Sequence, residues 1–499
     1  VRFALTGSYA LILAHHNNSC FSLIAENAFE PSSGSKFTSN LKEEGFIGTS
    51  KEKKNFTSNN KIIIAYGTDS INDNLNLSGF RRAIGKVISE AKDQNLSSIY
   101  VEIYPTKNSD IEYISFVFAE TITLSLYSFE HIYSNQTFPQ KRPICVEEIK
   151  LFIQNSNQNL ENLTKNINNG IDRGQCLNFA RYLSDLPSNQ LRPKDLSLLT
   201  KEKFTQLKYT SSTILDKVEL EKQGFGGIIA VGKGSIYDPY LAIFEYNPPS
   251  AKDTIVLIGK GVTFDTGGYS IKSKKHHNEM KYDMCGAANV FSAAYIAAKE
   301  EFPIRIVCML ACVENTIGDY AQRPSDVYKA WNGKLVDVYN TDAEGRLILA
   351  DVIAYAGSYS PKIIIDIATL TGGASQIASN MAGILCVNND SLIAEVKKAG
   401  ALAGEKFINL EILPEATENI KGTVSDYTNM NNKWSDGAAT MHAAAFLKEF
   451  VPQNVDWIHM DIASMSYNGR NNGYITSEGA NSFGSRTIVN LLKKYSELN

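Results

Sequence analysis

The chain has 499 residues, 43% of them hydrophobic and 20% charged, which excludes a disordered or fibrous chain and leaves room for two or three domains. Lysine and arginine number 49 against 53 aspartate and glutamate, a formal net charge of -4, so bulk charge gives no reason to expect a polyanion partner. Seven cysteines, odd in number and without a Cys-x-x-Cys pair, argue against a disulfide framework and for a reducing, cytoplasmic setting. No apolar run reaches the ~18 residues that span a bilayer, so no membrane association is expected.

In chain order, Phe3 to Ala14 is mildly apolar behind Arg2, but Thr6, Gly7 and Ser8 interrupt it and His15-His16-Asn17-Asn18 follows. It reads as a first strand rather than a signal sequence. Residues 30–60 are polar and read as a loop or insertion. A strand is predicted over Lys61–Tyr66, and a helix over Leu77–Ala91 from the spacing of Phe80, Ile84, Val87 and Ile88. A strand at Ser98–Tyr104 and a helix at Ile111–Leu126 complete a small α/β domain over residues 1–140. Residues 141–169 are predicted to form a connecting helix. A larger α/β domain follows over 170–499, with strands at Gly227–Val231, Leu241–Tyr246, Thr254–Ile258, Ile304–Leu310 and Ile363–Ile367. Helices at Gly286–Glu300 and Leu347–Gly357 imply a mixed sheet flanked by helices, in which ligands bind beyond the carboxyl ends of the strands.

The chemically loaded residues fall at those ends. Lys260, Asp265 and Lys272 lie on a glycine-rich stretch after the strand at Thr254–Ile258. Asp283 precedes the helix at Gly286, and Asp342 and Glu344 precede the helix at Leu347. Each carboxylate alone reads equally as a turn or N-cap residue. Four of them converging on one cleft would repel by several kcal/mol, and two divalent ions would balance them. The glycine-rich stretch contains neither G-x-G-x-x-G nor G-x-x-x-x-G-K-[ST], so a phosphate cradle is not indicated. On residue chemistry alone the metal site and the bland reading both stand.

Three segments carry a resemblance: Gly259-Lys260-Gly261-x-Thr263-Phe264-Asp265-x-Gly267-Gly268 with Lys272, Met280-Lys281-x-Asp283-Met284, and Asn340-Thr341-Asp342-Ala343-Glu344-Gly345-Arg346-Leu347. Together they resemble the cytosolic leucyl aminopeptidase family, and the last octapeptide is highly specific for it. The likeness extends over about residues 170–499 and includes Ala368-Thr369-Leu370-Thr371-Gly372 and His459-x-Asp461-Ile462-Ala463. Residues 1–140 match only loosely. The resemblance implies Lys260, Asp265, Asp283, Asp342 and Glu344 as ligands of two divalent ions, zinc with manganese, cobalt or magnesium as alternatives. It implies Lys272 as the electrophile at the scissile carbonyl, and Arg346 as holder of a bicarbonate that acts as general base towards a metal-bridging water. Met280, Thr369, Leu370, Gly372 and Ala463 would line the site for the substrate's first residue, leucine-like by preference. Peptides with a free amino terminus are the implied substrates, and a homohexamer the implied assembly.

The chain departs from the family pattern at Cys285, which reads as a small packing residue or an oxidation-sensitive thiol. It departs again in the basic loop 273–279, where His276 and His277 read as solvated rather than as ligands. Cys308 and Cys312 read as core packing, and His459 as a core histidine with a hydrogen-bond partner. A Cys-Gly-type dipeptidase on the same site, and a nucleic-acid-binding regulatory relative, are the alternatives. The charge balance weighs against the second.

Overall fold

The structure, a computed structural model, describes residues 160–431, 437–467, 473–475 and 479–497. Before residue 160 it describes 2–4, 14–15, 18–24, 53–58, 61–67, 70–71, 74–75, 77–93, 98–103, 110–129, 146 and 148–153. The chain divides into two compact units, 1–178 with 471–478, and 179–470 with 479–499.

The first unit holds a mixed sheet in the order Arg2–Ala4, Glu148–Ile153, Ser98–Ile103, Asn18–Ile24, Lys61–Gly67, Lys53–Ser58. Helices Leu77–Asp93 and Ile111–Leu126 bury Phe80, Ile84, Ile88, Val117 and Phe118 in one core with Ile99, Val101 and Ile149. The second helix covers the predicted span despite its β-branched residues, because Asp110 caps it by accepting from the Tyr113 N–H at 3.1 Å. The expected helix over 141–169 is corrected. Glu148–Ile153 is a strand paired parallel to both Ser98–Ile103 and Arg2–Ala4, and a helix starts only at Leu160 and runs to Asp185. The segment Glu-Ile-Lys-Leu-Phe-Ile alternates with period two, and Ile149 and Leu151 share the buried face. The predicted first strand is seen at Arg2–Ala4, while its continuation over 5–13 lies outside the described residues, as does 30–52 of the predicted insertion.

The second unit is built on an eight-stranded mixed sheet, in the order Thr210–Leu215, Tyr240–Tyr246, Arg305–Asn315, Thr254–Asp265, Ile363–Ala368, Asp456–Asp461, Gly383–Val387, Phe407–Asn409. The four strands from Arg305–Asn315 to Asp456–Asp461 are mutually parallel, so their carboxyl ends share one edge. All six residues of Ile363–Ala368 are buried, as expected for a strand covered on both faces. Helix Cys285–Lys299 packs against this block through small residues. A Cβ on Gly286 would lie 2.2 Å from the Ile367 carbonyl oxygen, so the helix start approaches the sheet only with glycine there. Among the described residues, no helix is long and apolar enough to cross a membrane.

Two sequence expectations change in this unit. Gly227–Val231 belongs to a helix, Gly226–Gly232, rather than to a strand. The first N–H groups of a helix have no partner within it. Here the buried Asp351 carboxylate accepts from Gly227 N at 2.6 Å and Ile228 N at 3.1 Å, and its other oxygen accepts from Trp331 N at 2.8 Å. That partner lies more than a hundred residues away, so an apolar run that locally reads as a strand is held helical by a tertiary contact. The second change is that the central strand does not stop at Ile258 but continues to Asp265, which puts Lys260 on the strand itself.

Asp351→Ala would leave three buried N–H donors unpaired. Unfolding in urea should show a loss of about 3 kcal/mol or more, with Asp351→Asn less damaging because its carbonyl still accepts. An unchanged midpoint for Asp351→Ala would contradict the capping role.

Candidate metal centre

A bulge places the first two candidate ligands together. Val262 pairs with Val313, but Phe264 pairs with Glu314, so the central strand carries one extra residue at Thr263. Side chains alternate along a strand, and Lys260 and Asp265, five positions apart, would otherwise face opposite sides. The extra residue restores a common face, the usual effect of a bulge beside a site. Past Asp265 the chain turns through Gly267 and Gly268, at φ +86° and +63°. Gly267 N donates to Asp265 Oδ1 at 2.8 Å, and Lys272 N donates to the Thr266 carbonyl at 2.9 Å, which returns Lys272 to the strand end. Thr341 ties this turn to the next loop, donating from Oγ1 to the Gly267 carbonyl at 2.6 Å and accepting from Ser270 N at 2.8 Å.

The residues converge. Lys260 Nζ lies 2.9 Å from Asp283 Oδ1 and 2.8 Å from Glu344 Oε1, while Lys272 Nζ lies 2.7 Å from Asp265 Oδ2 and 2.5 Å from Asp342 Oδ1. Carboxylate oxygens of Asp265, Asp342 and Glu344 lie within 4.8 Å of one another. At that separation each like-charged pair costs about 3 kcal/mol at an effective dielectric near 20. Lys260, Asp265, Asp283 and Glu344 are buried, and Asp342 is half-buried. Two ammonium groups against four carboxylates leave two negative charges uncompensated.

Ionisation reflects this crowding. Burial raises the Asp283 pKa well above the usual carboxylate range, opposed by Lys260 and reinforced by Glu344 and Asp265. Burial likewise pushes Asp342 up to about 7, with Asp265 and Glu344 adding to it and Lys272 opposing. For Lys260 burial works downward, but Asp283, Glu344 and Asp265 outweigh it and hold the ammonium above the ordinary lysine value. Lys272 is raised in the same way, burial being overcome by Asp265, Glu344 and Asp342. Asp283 Oδ2 and Glu344 Oε2 are buried without a hydrogen-bond partner. Orphaned oxygens, excess negative charge and an oxygen-dominated donor set with one amine fit divalent cations.

Arg346 sits in the first turn of helix Gly345–Ala356, buried, with Nη1 donating to the Asn429 carbonyl at 2.8 Å. Its Nε has no partner, and burial lowers its pKa to about 10 while Glu344 and Asp461 act to raise it. A buried guanidinium with a spare donor at a helix start is suited to a small anion.

The candidate substrate residues join the cluster unequally. Thr369 bridges two candidate ligands, its carbonyl accepting from Lys260 Nζ at 2.9 Å and its hydroxyl donating to Asp283 Oδ1 at 2.9 Å. Leu370 and Ala463 are half-buried on adjacent strand ends, and Met280 opens the short turn Met280–Tyr282 before Asp283. Gly372 faces open space, with nothing within 4 Å of a Cβ placed there.

Two organising residues escaped the functional reading of the sequence. Asn315 Nδ2 donates to Asp265 Oδ1 at 2.8 Å and to the Thr341 carbonyl at 3.0 Å. Asn429 accepts at Oδ1 from Tyr339 N at 2.8 Å and Asn340 N at 3.1 Å, and donates to the Asn340 carbonyl at 2.6 Å. A lone asparagine about 90 residues from the loop it holds carries no local signal.

The remaining histidines bond to groups outside the ligand set. Lys274–His277 forms a single turn, exposed at Lys274, Lys275 and His276, while His277 is half-buried with Nε2 3.4 Å from the Thr266 carbonyl oxygen, so the solvated reading holds for His276 but not for His277. Cys285 is buried and its thiol is pushed up to about 12, mainly by burial, which matches the packing reading and disfavours a thiolate. Cys308 and Cys312 are also buried and free. His459 is fully buried with Nδ1 2.6 Å from Asp366 Oδ1, and Trp457 Nε1 donates to the other oxygen at 2.7 Å. Burial disfavours its charged form, but Asp366 prevails and raises its pKa. His442 is buried, 3.4 Å from Asn419 Nδ2, and its pKa is lowered by burial and by Arg346.

Comparison with known proteins agrees with this geometry. Residues 178–489 match the family described as cytosol aminopeptidase family, catalytic domain. A probable cytosol aminopeptidase of Chlorobaculum tepidum is 35% identical over 429 residues, 84% of either chain. Another, of Bdellovibrio bacteriovorus, is 36% identical over 379 residues, 76% of this chain and 74% of its own. A solved structure of the bottromycin maturation enzyme BotP in complex with Mn is similar at a TM-score of 0.78 and 25% identity, covering 95% of this chain and 98% of that one.

Manganese or zinc added to chelator-treated protein should raise its melting temperature, since a ligand at a hundred times its Kd contributes about 2.7 kcal/mol. Asp265→Asn or Glu344→Gln should remove most of that shift, by taking a charged oxygen from the cluster. A metal-induced shift of wild-type size in both variants would exclude this cluster as the metal centre.

Proposed function

Because the chain belongs to the cytosol aminopeptidase family, and so is a metal-dependent aminopeptidase, we propose that this cleft removes the amino-terminal residue of peptides, leucine-like residues by preference. The observation that carries the reading is the convergence of four carboxylates and two lysines at one strand edge, with buried oxygens left unsatisfied.

When bound, two divalent ions, zinc with manganese, cobalt or magnesium as exchange partners, supply Lewis-acid activation of the carbonyl and of the attacking water. Asp265, Asp283, Asp342, Glu344 and Lys260 would hold them. Lys260 must give up its proton for this. With the carboxylates engaged by cations, the influence left on Lys260 is burial, which favours the neutral amine. Lys272 has the opposite task. As an ammonium at the mouth of the cluster, it stabilises negative charge developing on the scissile carbonyl oxygen. Arg346, buried at the start of its helix, would hold a bicarbonate, which would supply the general base. Met280, Leu370 and Ala463 supply an apolar lining beside the open face at Gly372, which suits a branched aliphatic side chain. Thr369, tied to both Lys260 and Asp283, orients the substrate backbone.

The working assembly in this reading is a homohexamer in the cytoplasm. Ile236 is 89% exposed and Tyr320 81%, on loops that touch through Gly234 and Gly318. Such an apolar surface is costly in water and is covered when chains associate.

Chelation should abolish hydrolysis of leucyl amides, and Lys272→Ala should lower kcat by about 10²–10³-fold with metal retained. Wild-type turnover in Lys272→Ala would refute its role. An N-acetylated leucyl amide should resist cleavage, since acetylation removes the neutral amine that positions the substrate. Equal cleavage of both would indicate a general amidase.

The pH dependence follows from two proton requirements. The substrate amine, with a pKa of about 8, must be neutral, whereas Lys272 must be protonated. Loss of the Lys272 proton sets the alkaline limb. With metal saturating, kcat/KM should rise from pH ~6 to a broad optimum at about 8–9.5. A maximum at or below pH 6 would contradict the amine chemistry.

A further inference from the structure

The strand Asp456–Asp461 ends in a buried carboxylate, both of whose oxygens are hydrogen-bonded. Asp461 Oδ1 accepts from Leu370 N at 3.1 Å and from Ala463 N at 3.1 Å. Its Oδ2 accepts from the Thr371 hydroxyl at 2.6 Å, and that hydroxyl lies 2.7 Å from Thr440 Oγ1. The two backbone donors belong to the two residues that line opposite strand ends of the proposed substrate pocket. Ile363–Ala368 and Asp456–Asp461 are neighbours in the sheet, and Ala368 pairs with Asp461. Beyond that pair the ladder continues only through Ile462 N, which donates to the Ala368 carbonyl at 2.8 Å. From there the chains diverge, one into helix Gly372–Ala378 and the other into the turn at Ala463.

We infer that Asp461 is a positioning residue which fixes the distance between Leu370 and Ala463, and thereby sets the width of the pocket for the substrate's first side chain. This rests on the aminopeptidase reading for its meaning, but not for its geometry. The two partners of Oδ1 are backbone N–H donors, so only an acceptor satisfies that side, whereas the Thr371 hydroxyl at Oδ2 can turn to either role. A single oxygen shared by two N–H groups holds their residues at a separation that neither segment dictates alone. The second oxygen binds Thr371, whose own Oγ1 accepts from Ala374 N at 3.2 Å as the cap of the helix that begins at Gly372. Loss of the carboxylate therefore frees the Leu370 side of the pocket down to the start of that helix. Asparagine is a discriminating replacement. Its carbonyl oxygen retains the Leu370 and Ala463 bonds, while its amide donates to Thr371 Oγ1, which turns its hydrogen to Thr440.

The test uses the full metal-loaded chain with Asp461→Ala, Asp461→Asn and Thr371→Val. Leucyl and alanyl amides are compared, with metal content and amide hydrogen exchange over 368–374 and 461–466. For Asp461→Ala, KM for the leucyl amide should rise about tenfold or more, with a smaller change in kcat and the leucyl-to-alanyl ratio of kcat/KM collapsing towards one. Metal content should stay at the wild-type level, and exchange should accelerate within these two segments. Asp461→Asn should remain within about threefold of wild type on every readout. Should Asp461→Ala fail to fold, Thr371→Val must shift KM and the ratio in the same direction. Wild-type KM and ratio in the folded variant, loss of metal in step with activity, or an Asp461→Asn as impaired as Asp461→Ala would each overturn the inference. If the wild-type chain cleaves no aminoacyl amide, the aminopeptidase reading falls, and the exchange measurement still decides the role of Asp461.

Discussion

Charge compensation in a water-poor cleft governs the second unit. Asp265, Asp283, Asp342 and Glu344 are gathered at the carboxyl edge of four parallel strands, and three of the four are almost wholly removed from solvent. Carboxylates so placed must find positive charge or take up protons. The protein's own answer is two lysines, one to each half of the cluster, and it is incomplete. The deficit makes the cleft a cation site. It also fits the proposed ligand role of Lys260, since the same carboxylates that hold its proton are the groups that cations would engage.

The fold delivers these groups by a few specific devices. Parallel pairing sets the strand ends level, and the extra residue at Thr263 turns Asp265 to the same side as Lys260. Small residues at Gly259 and Gly286 let helix Cys285–Lys299 come close enough to bring Asp283 to the strand edge. Around the rim, Asn315, Thr341 and Asn429 tie loop to loop with hydrogen bonds, so the ligands are held by rigid elements. Asp461 ties the segments at Leu370 and Ala463 together in the same manner.

Much of this was legible from residue order. Helix Ile111–Leu126 and the strands around Tyr240–Tyr246 and Ile363–Ala368 follow their apolar patterns, because burial of a face or of both faces is written locally. The failures share a cause. Gly226–Gly232 is helical because Asp351 satisfies its first N–H groups, and Glu148–Ile153 is a strand because two parallel neighbours accept it. Asn429 serves a loop far away in the chain, so its neighbours in sequence say nothing of its work.

The sequence by itself determined the chemical inventory: which residues carry oxygen donors, which carry amines, and their order in motifs specific enough to identify a family over residues 178–489. It also determined the alternation that makes an α/β sheet with an active edge. Only the tertiary structure decided that the central strand runs on to Asp265, that a bulge sets the facing of its side chains, and that Leu370 and Ala463 share one acceptor. The physical reason is range. Hydrophobic periodicity is a property of neighbours three or four positions apart. A buried polar group is satisfied by whichever donor the fold brings within about 3 Å, and that donor is usually remote in the chain.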